Sequence, residues 1–272
     1  MAVIHNGISY RAADAHAHIY PGKIAEKATA SVGRFYDIPM ENVGLPHILS
    51  QRGREAGLDR FLVSSVATKL AQVRSINEFI QRKCREYPEF VGLAAWHQDV
   101  EDIGAEMDDI QARGLRGIKL HPDFQEFFID EDRMLPVYEE ADRRGLVVLF
   151  HTGDKRTDFS SPRRLMNVLE KLPEFTCIAA HLGGYTEWDD ARKELHGTNV
   201  YVDCSSSLFA LNREQALASI RHFGVERTMF GTDFPMWEPA EEVRRFLALG
   251  LSEEENRKIF YENFARLFRL ED

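Results

Sequence analysis

The sequence predicts an α/β fold, specifically a single (β/α)8 TIM barrel over residues 1–272 with a short N-terminal hairpin and extra C-terminal helices. Three observations predict it: short apolar runs alternate with amphipathic helical patterns, the runs are enough for eight strands, and polar residues follow several of them. Repeated β-α units imply parallel strands with right-handed crossovers, and eight units imply a closed barrel. An open doubly wound sheet is the rival, but no predicted strand is followed by a glycine-rich phosphate loop.

The first elements follow from a turn signal and a buried run. Residues 3–10 (VIHNGISY) predict a small hairpin, because Asn6-Gly7 supplies the positive φ angles of a tight turn. The first core strand comes next and ends at His16 and His18. Residues 19–46 have no clean period and contain several glycines and prolines, so we expect a long irregular loop with a functional role. Its aromatic residues either cover a pocket or pack on the barrel rim.

Seven further strands are predicted from short apolar runs rich in β-forming residues, which are typical of parallel strands buried on both faces. They cover residues 60–68, 90–97, 117–122, 146–154, 176–184, 199–207 and 227–235. Apolar stripes at helical spacing predict helices over residues 71–86, 102–112, 162–172 and around Val243. Ser252 and Glu255 form a capping box for the first of two tail helices. These tail helices either pack on the barrel or form a homodimer.

Composition and charge exclude several classes of function. The chain is 44% hydrophobic and 29% charged, and its net charge of −10 argues against nucleic acid or anionic membrane as a partner. Three scattered cysteines, Cys84, Cys177 and Cys204, fit neither a disulfide framework nor a structural zinc site, and they suggest a reducing compartment. The sequence has no pattern of a signal peptide or a membrane span, so we expect a cytoplasmic protein.

Polar residues at the ends of the predicted strands carry the functional prediction. Side chains alternate along a strand, so His16 and His18 point the same way, about 7 Å apart. Two imidazoles on one face can bind one divalent ion. Residues suited to metal binding or proton transfer also end four later strands: Lys119 with His121, His151, His181 and Asp233. Because barrel enzymes build their active sites at these strand ends, the set predicts an active site.

With these motifs the chain resembles the amidohydrolase superfamily, most closely the branch of aminocarboxymuconate-semialdehyde decarboxylase and its hydrolase relatives. The motifs that carry the resemblance are DAHAH (14–18), GIKLHP (117–122), HTG (151–153), AHLGG (180–184), GTDFP (231–235) and NFARLF (263–268). The resemblance implies that the metal ligands are His16, His18, His151 and Asp233. It also implies that His181 is catalytic beside the metal. Imidazoles with one carboxylate suit zinc, and also manganese or iron.

Lys119 bears on the number of metal ions. In some branches of the superfamily a carboxylated lysine on strand four bridges two ions, and Lys119 has the corresponding position. In the branch that this chain most resembles the site holds one ion, and the lysine contacts the substrate or a carboxylate. We therefore expect one ion. His121 shares a face with Lys119, and its role is either catalytic or structural.

Other residues are candidates for contact with a small-molecule substrate. Arg156 follows His151 in an acidic protein and either binds a substrate carboxylate as a bidentate partner or faces solvent. Trp96 and Trp237 end predicted strands or follow them, and they are further candidates. Asp14 has the parity of His16 but lies deeper, so a supporting role is expected rather than ligation.

The expected reaction is the hydrolysis of a small amide, lactone or ester by metal-activated water, with Asp233 and His181 moving the proton. Non-oxidative decarboxylation of a small aromatic or unsaturated carboxylic acid uses the same side chains and is the alternative. A barrel that binds without turnover is a third hypothesis, which the apparently full set of ligands disfavours.

Overall fold

The computed structural model describes residues 2–270 and has an α/β fold. Its strands are β1 (Val3–His5), β2 (Ile8–Tyr10), β3 (Ala13–His18), β4 (Arg60–Ser64), β5 (Phe90–Gly92), β6 (Ala94–Ala95), β7 (Gly117–Leu120), β8 (Val147–Phe150), β9 (Cys177–Ala179), β10 (Tyr201–Asp203) and β11 (Thr228–Met229). Its α-helices are α1 (Ala25–Tyr36), α2 (Pro46–Glu55), α3 (Val73–Glu86), α4 (Ile103–Ala112), α5 (Pro122–Gln125), α6 (Leu135–Arg143), α7 (Pro162–Lys171), α8 (Trp188–Glu194), α9 (Arg213–Phe223), α10 (Pro239–Leu247), α11 (Glu253–Arg257) and α12 (Asn263–Phe268). Short 3-10 turns lie at Leu70–Gln72, Asp132–Met134 and Val225–Arg227, and a π-helical turn lies at Lys258–Glu262.

Parallel strands follow an antiparallel hairpin of β1 and β2, as predicted. One parallel sheet has the order β3-β4-β5, and the other has the order β6-β7-β8-β9-β10-β11. Only Leu93 separates β5 from β6, so together they act as one interrupted strand between the sheets. At the other end Ala17 forms a parallel bridge with Phe234, and the backbone N–H of Asp233 donates to the carbonyl of His16. The segment that follows β11 therefore lies beside β3, as the predicted barrel requires.

Alternate strand residues divide between two cores, as expected for strands buried on both faces. Phe61 and Phe150 belong to the larger core beneath the helices, whereas their neighbours Leu62 and Leu149 belong to the inner one. Phe264 and Phe268 of α12 join the inner core.

Asn263 fixes the last helix to the barrel. Its side-chain amide donates to the carbonyls of Val225 and Thr228, both at 2.7 Å. The capping box of Ser252 and Glu255 is also present at the start of α11. The tail helices therefore pack on the barrel, while the homodimer stays a prediction. In the described part of the chain, no helix has the length and apolar character that a membrane span requires.

The prediction of an irregular loop over residues 19–46 was wrong, because this segment contains α1 and the start of α2. Helix α1 begins at Ala25, and the residue before it, Ile24, offers no side-chain cap, so the usual start signal is missing. Its buried side is a stripe of small residues, Ala25, Thr29 and Gly33, which carry little hydrophobic signal. The predicted strands also extended too far at their carboxyl ends, because the predictions included the site residues of the loops above the barrel, for example residues 151–154 after β8 and 204–207 after β10.

Candidate active site

A cavity of about 900 Å³ opens at the carboxyl ends of the strands. Seven residues predicted for the site line it: His16, His18, Lys119, His121, His151, His181 and Asp233. The period of two along β3, β7 and β8 explains this convergence, because residues of one parity all face the barrel axis. The structure therefore brings together most of the residues that the sequence pointed to.

Within this cavity, His16, His18 and Asp233 form a compact group whose ligand atoms all lie within 4.8 Å of one another. Asp233 Oδ1 lies 3.3 Å from His18 Nε2 and 3.8 Å from His16 Nε2. The other ring nitrogens are occupied. His16 Nδ1 lies 3.1 Å from Asp203 Oδ2, and His18 Nδ1 lies 3.2 Å from the Ser64 hydroxyl. Both Nε2 atoms are thus turned toward the same carboxylate.

The donor set of this group fits a divalent metal ion. The carboxylate of Asp203 can only accept, so His16 carries its proton on Nδ1 and presents the Nε2 lone pair. A carboxylate behind a histidine is the usual support of a metal-binding imidazole. Two imidazole nitrogens and one carboxylate oxygen suit zinc, manganese or iron.

Electrostatics keep these groups in the protonation states that bind a metal. Burial lowers the pKa of His16, and the nearby Lys119 charge adds to this effect, so the imidazole stays neutral. Burial alone would raise the pKa of Asp233, but its close contact with His18 and the neighbouring His16 and His181 bring the pKa well below its usual range, so the carboxylate is ionised.

His151 stands beside the group rather than within it. Its Nδ1 lies 3.0 Å from His181 Nε2, and its Nε2 lies 3.4 Å from the Tyr36 hydroxyl. Together with His121 and Asp123, His151 forms a second set whose ligand atoms lie within 4.8 Å of one another. Its role as the third histidine ligand therefore stays a prediction.

His181 is held with its Nε2 atom toward the cavity. Its Nδ1 lies 3.0 Å from the carbonyl of Ser205, which can only accept, so Nδ1 carries the proton. Burial lowers the pKa of His181 to about 4, against the opposing charge of Asp233. The neutral ring stacks on His16 with centroids 5.0 Å apart. This arrangement leaves Nε2 as a hydrogen-bond acceptor beside the metal-binding group.

Lys119 is a buried cation at the base of the site. Its side chain is 1% exposed, and its Nζ donates to His16 Nε2 at 3.2 Å. Burial lowers the pKa of Lys119 to about 8, although Asp233 and Asp203 oppose this shift. Carboxylation of this lysine and direct contact with the substrate both stay predictions.

His121 has a structural contact as well as a place in the cavity wall. Its Nδ1 accepts from the backbone N–H of Phe124 at 3.3 Å and so caps the short helix α5. Its ring stacks on His151 at 4.0 Å and on Phe124 at 3.7 Å. The hydroxyl of Tyr36, on α1, lies 2.8 Å from His121 Nε2. A helix that was predicted as loop thus supplies a polar group to the site.

Three residues predicted to contact the substrate do not belong to the described lining of the cavity. Trp96 is fully buried in the core beneath the helices. Trp237 donates from Nε1 to the Ser206 hydroxyl at 2.8 Å. Arg156 is bound by the carboxylate of Asp154 and lies over aromatic rings of α1. Direct contact between these residues and a substrate stays a prediction.

Two supporting aspartates complete the site. Asp203 binds His16 and also accepts from the Ser205 hydroxyl. It is not among the predicted site residues, although it is the last residue of strand β10. Asp14 accepts from the backbone N–H groups of His16 at 3.0 Å and Thr232 at 2.9 Å. It therefore supports the first and last strands, and burial raises its pKa to about 7.

Three residues of the site have an unusual backbone conformation. His181, Ser206 and Asp233 have φ angles of 60°, 45° and 59°, in the left-handed region that non-glycine residues rarely adopt. Such strained residues concentrate at functional sites, where the surrounding structure holds them in place. Ser206 is held because its hydroxyl donates to Asp233 Oδ2 at 2.5 Å.

This α/β barrel, with a His-X-His strand joined by an aspartate from the last strand, has the architecture of the metal-dependent amidohydrolases. Residues 13–270 match the sequence model of the amidohydrolase family, and the chain belongs to that family. The family predicted from the motifs is therefore confirmed. No curated protein matches the sequence significantly.

Solved structures with low sequence identity share the fold. An uncharacterised TIM-barrel protein from Bordetella bronchiseptica aligns with a TM-score of 0.75 at 20% identity, over 95% of this chain and 98% of that one. A dihydroxybenzoic acid decarboxylase from Polaromonas sp. JS666, with bound manganese and 2-nitroresorcinol, aligns with a TM-score of 0.75 at 15% identity, over 96% and 97%. A probable 2-pyrone-4,6-dicarboxylic acid hydrolase from Acinetobacter baumannii, with citric acid bound, gives 0.71 at 15% identity, over 96% and 100%.

Proposed function

We propose that this protein is a metal-dependent hydrolase that cleaves an amide, lactone or ester. The observation that carries the proposal is the position of Asp233, whose Oδ1 faces the Nε2 atoms of His16 and His18. These three residues would hold one divalent ion, with His151 as the further ligand, and zinc or manganese suits the donors. When bound, such an ion supplies a water acidic enough to act as a nucleophile at neutral pH.

The residues around the group have separate roles in this proposal. Asp233 accepts the proton of the attacking water, and its second oxygen is held by Ser206. The same proton then goes to the leaving group, delivered either by Asp233 itself or by His181, which presents Nε2 toward the cavity. Lys119 binds an oxygen of the substrate, because its ammonium group is buried among acceptors and close to His16.

Non-oxidative decarboxylation is the second candidate. The buried ammonium of Lys119 favours it, since a cation at the base of the cavity suits a substrate carboxylate. The similarity in fold to the dihydroxybenzoic acid decarboxylase also favours it. This reaction also requires a proton donor to carbon, and Lys119 would have to fill that role as well as bind the carboxylate, because Asp233 and His181 both face the cavity as acceptors. We therefore place hydrolysis first.

The test is a product assay on the full chain loaded with zinc or with manganese. We expect panels of lactones, esters and amides to give the free acid, with no carbon dioxide released from aromatic or unsaturated carboxylic acids. Carbon dioxide release without any hydrolysis would replace this proposal with the second candidate.

A matched pair of double variants checks that turnover depends on the metal-binding group. His16→Ala with His18→Ala should lose bound metal and at least 100-fold in turnover, as about 2.7 kcal/mol or more of barrier lowering disappears. His47→Ala with His196→Ala removes two exposed histidines and should leave both unchanged. Full activity in the first variant would overturn the mechanism.

A further inference from the structure

Helix α1 has two apolar sides, and only one of them packs against the protein core. Ala25, Thr29 and Gly33 form the buried side. A second stripe lines the cavity and consists of Ile24, Ala28, Val32 and Phe35. Residues three and four positions apart share one face of a helix, so this stripe is continuous. The roof of the cavity is therefore apolar along the helix.

Two apolar residues from other elements also line this cavity. Val66, which follows β4, and Ile76 of α3 line it and are half-buried. Exposed polar residues form the rim: Lys27, Ser31, Thr68, Gln72 and Ser75. Within the two described segments 24–40 and 65–76, Lys27 is the one charged residue in the lining. We call the space between Ala28, Val32, Val66 and Ile76 the apolar slot.

The apolar slot is continuous with the metal-binding group. The same cavity includes His16, His18 and Asp233, and Tyr36 at the end of α1 reaches His121 at 2.8 Å. From Ile24 to Tyr36 the helix covers about 18 Å along its axis at 1.5 Å per residue. The cavity volume of about 900 Å³ is near the upper end for small-molecule pockets, about 300–1,000 Å³.

A cavity of this length can hold the reacting group of a substrate at the metal-binding group and the rest of the substrate along α1. A carbonyl or carboxylate placed at His16 and His18 occupies only the polar base of the cavity. Between the exposed polar rim and this base, Ala28, Val32, Val66 and Ile76 line the cavity, and these side chains offer no partner for charged or strongly hydrogen-bonding groups. A ligand that removes this apolar stripe from water also binds with a more favourable free energy.

We propose that the substrate carries an extended apolar group, such as an alkyl chain, that occupies the apolar slot while its carbonyl lies at the metal-binding group. This inference rests on the proposed function and deepens it, because it names the class of substrate: long-chain esters, lactones or amides rather than small polar ones. The rim around Lys27 and Gln72 lets the end of a longer chain reach solvent.

The test measures binding of straight-chain carboxylates, from acetate to octanoate, to the zinc-loaded full chain by isothermal titration calorimetry. Each added methylene should tighten binding about threefold to fourfold, the effect of burying one methylene group. Ala28→Trp fills the apolar slot and should remove this gain beyond the shortest acids. Ala30→Trp places the same side chain on the exposed side of α1 and should retain it.

A milder variant keeps the test valid if Ala28→Trp fails to fold. Val32→Thr keeps nearly the same size but replaces a methyl group of the wall with a hydroxyl, and it should weaken octanoate at least threefold more than acetate. Equal affinity for all acids in the unmodified protein, or equal chain-length dependence in Ala28→Trp and Ala30→Trp, would overturn the inference.

The outcome is separable from that of the proposed function, because carboxylate binding requires no turnover. Hydrolysis of short esters with no dependence on chain length would overturn the apolar slot alone. Binding that depends on chain length, together with carbon dioxide release in place of hydrolysis, would overturn the proposed reaction alone.

Discussion

His16 and Asp203 form a buried pair in which Nδ1 and Oδ2 are 3.1 Å apart, and this contact turns Nε2 of His16 into the cavity. Burial alone would raise the pKa of Asp203, but its interaction with His16, including the hydrogen bond from Nδ1, lowers the pKa, so the carboxylate is ionised. The pair fixes both the tautomer and the orientation of a residue that would bind the metal.

Asp203→Asn should weaken metal binding about 10-fold to 100-fold, because an amide can present its N–H to Nδ1 and so favours the wrong tautomer. Metal titration with a competing chelator measures this change. Asp132→Asn alters an exposed carboxylate that is 97% accessible and should leave the affinity unchanged. Equal affinities in all three proteins would show that His16 does not bind the metal.

Arg156 should control how firmly the end of α1 is held over the cavity. Its guanidinium lies 4.5 Å from the ring centroid of Phe35 and 5.1 Å from that of Tyr36, and it donates to the carbonyl of Phe35. Arg156→Gln removes about 1.4 kcal/mol of cation–π and hydrogen-bond energy, so amide hydrogens of α1 should exchange about tenfold faster. Hydrogen-exchange mass spectrometry measures this rate.

Arg163→Gln is the control for that experiment, because Arg163 pairs with Glu170 of α7 and Glu194 of α8. It should leave exchange in α1 at the rate of the unmodified protein. If Arg156→Gln also leaves the rate unchanged, then other contacts hold the helix and Arg156 is available for the substrate carboxylate first predicted for it.

Glu255 should make stability depend on pH in the acid range. The hydrogen bond from Arg221, followed by the backbone N–H of Ser252, lowers the pKa of Glu255 from 4.5 to about 2. A carboxylate with a lowered pKa in the fold stabilises it above pH 4.5, and that stabilisation is lost as the pH falls toward 2. Glu255→Gln should therefore cost about 0.2–1 kcal/mol at pH 7, the usual range for a largely exposed ion pair.

Urea unfolding at pH 7, 4.5 and 3 tests this expectation. The difference in unfolding free energy between Glu255→Gln and the unmodified protein should shrink across that series. A difference that stays constant with pH would mean that the capping box, which glutamine preserves, accounts for the whole effect.

Gly117 should tolerate no side chain, because a Cβ atom there would lie 1.9 Å from the carbonyl oxygen of Val147 on the neighbouring strand. Gly117→Ala must push β7 and β8 apart, and we expect a loss of about 3 kcal/mol in unfolding free energy. Gly104→Ala is the matched control, since its Cβ atom would meet its nearest neighbour at 3.7 Å.

Because Gly104 lies inside α4, alanine there should stabilise the protein by about 0.5–1 kcal/mol. Thermal and urea unfolding of the two variants measures both effects. Similar stability changes in the two would contradict the close approach of β7 and β8.

Sequence reasoning predicted those parts of the site that depend on strand parity. His16 and His18 share a face because side chains alternate, and the equivalent strand ends bring His181 and Asp233 to the same cavity. Asp203 was not predicted, because a single aspartate in a buried strand forms no spacing pattern with its neighbours. Its role follows only from the distance to His16.

The apolar slot and the position of Arg156 could not be predicted for a different reason. The stripe through Ala28 and Val32 resembles a core-facing pattern, and only the fold shows that it borders a cavity. Arg156 looked available to a substrate, but Asp154, two residues earlier, binds it. The local sequence does not show whether Arg156 forms its ion pair with Asp154 or with a carboxylate of the substrate.

The parallel bridge between Ala17 and Phe234 joins two segments that lie far apart in the sequence, and it has a consequence for biosynthesis. His16 and His18 leave the ribosome well before Asp233 does. During that interval the nascent chain exposes two histidines that lack their acidic partner, and the metal-binding group is complete only after Asp233 has emerged. A truncation before Asp233 therefore yields a chain without this group.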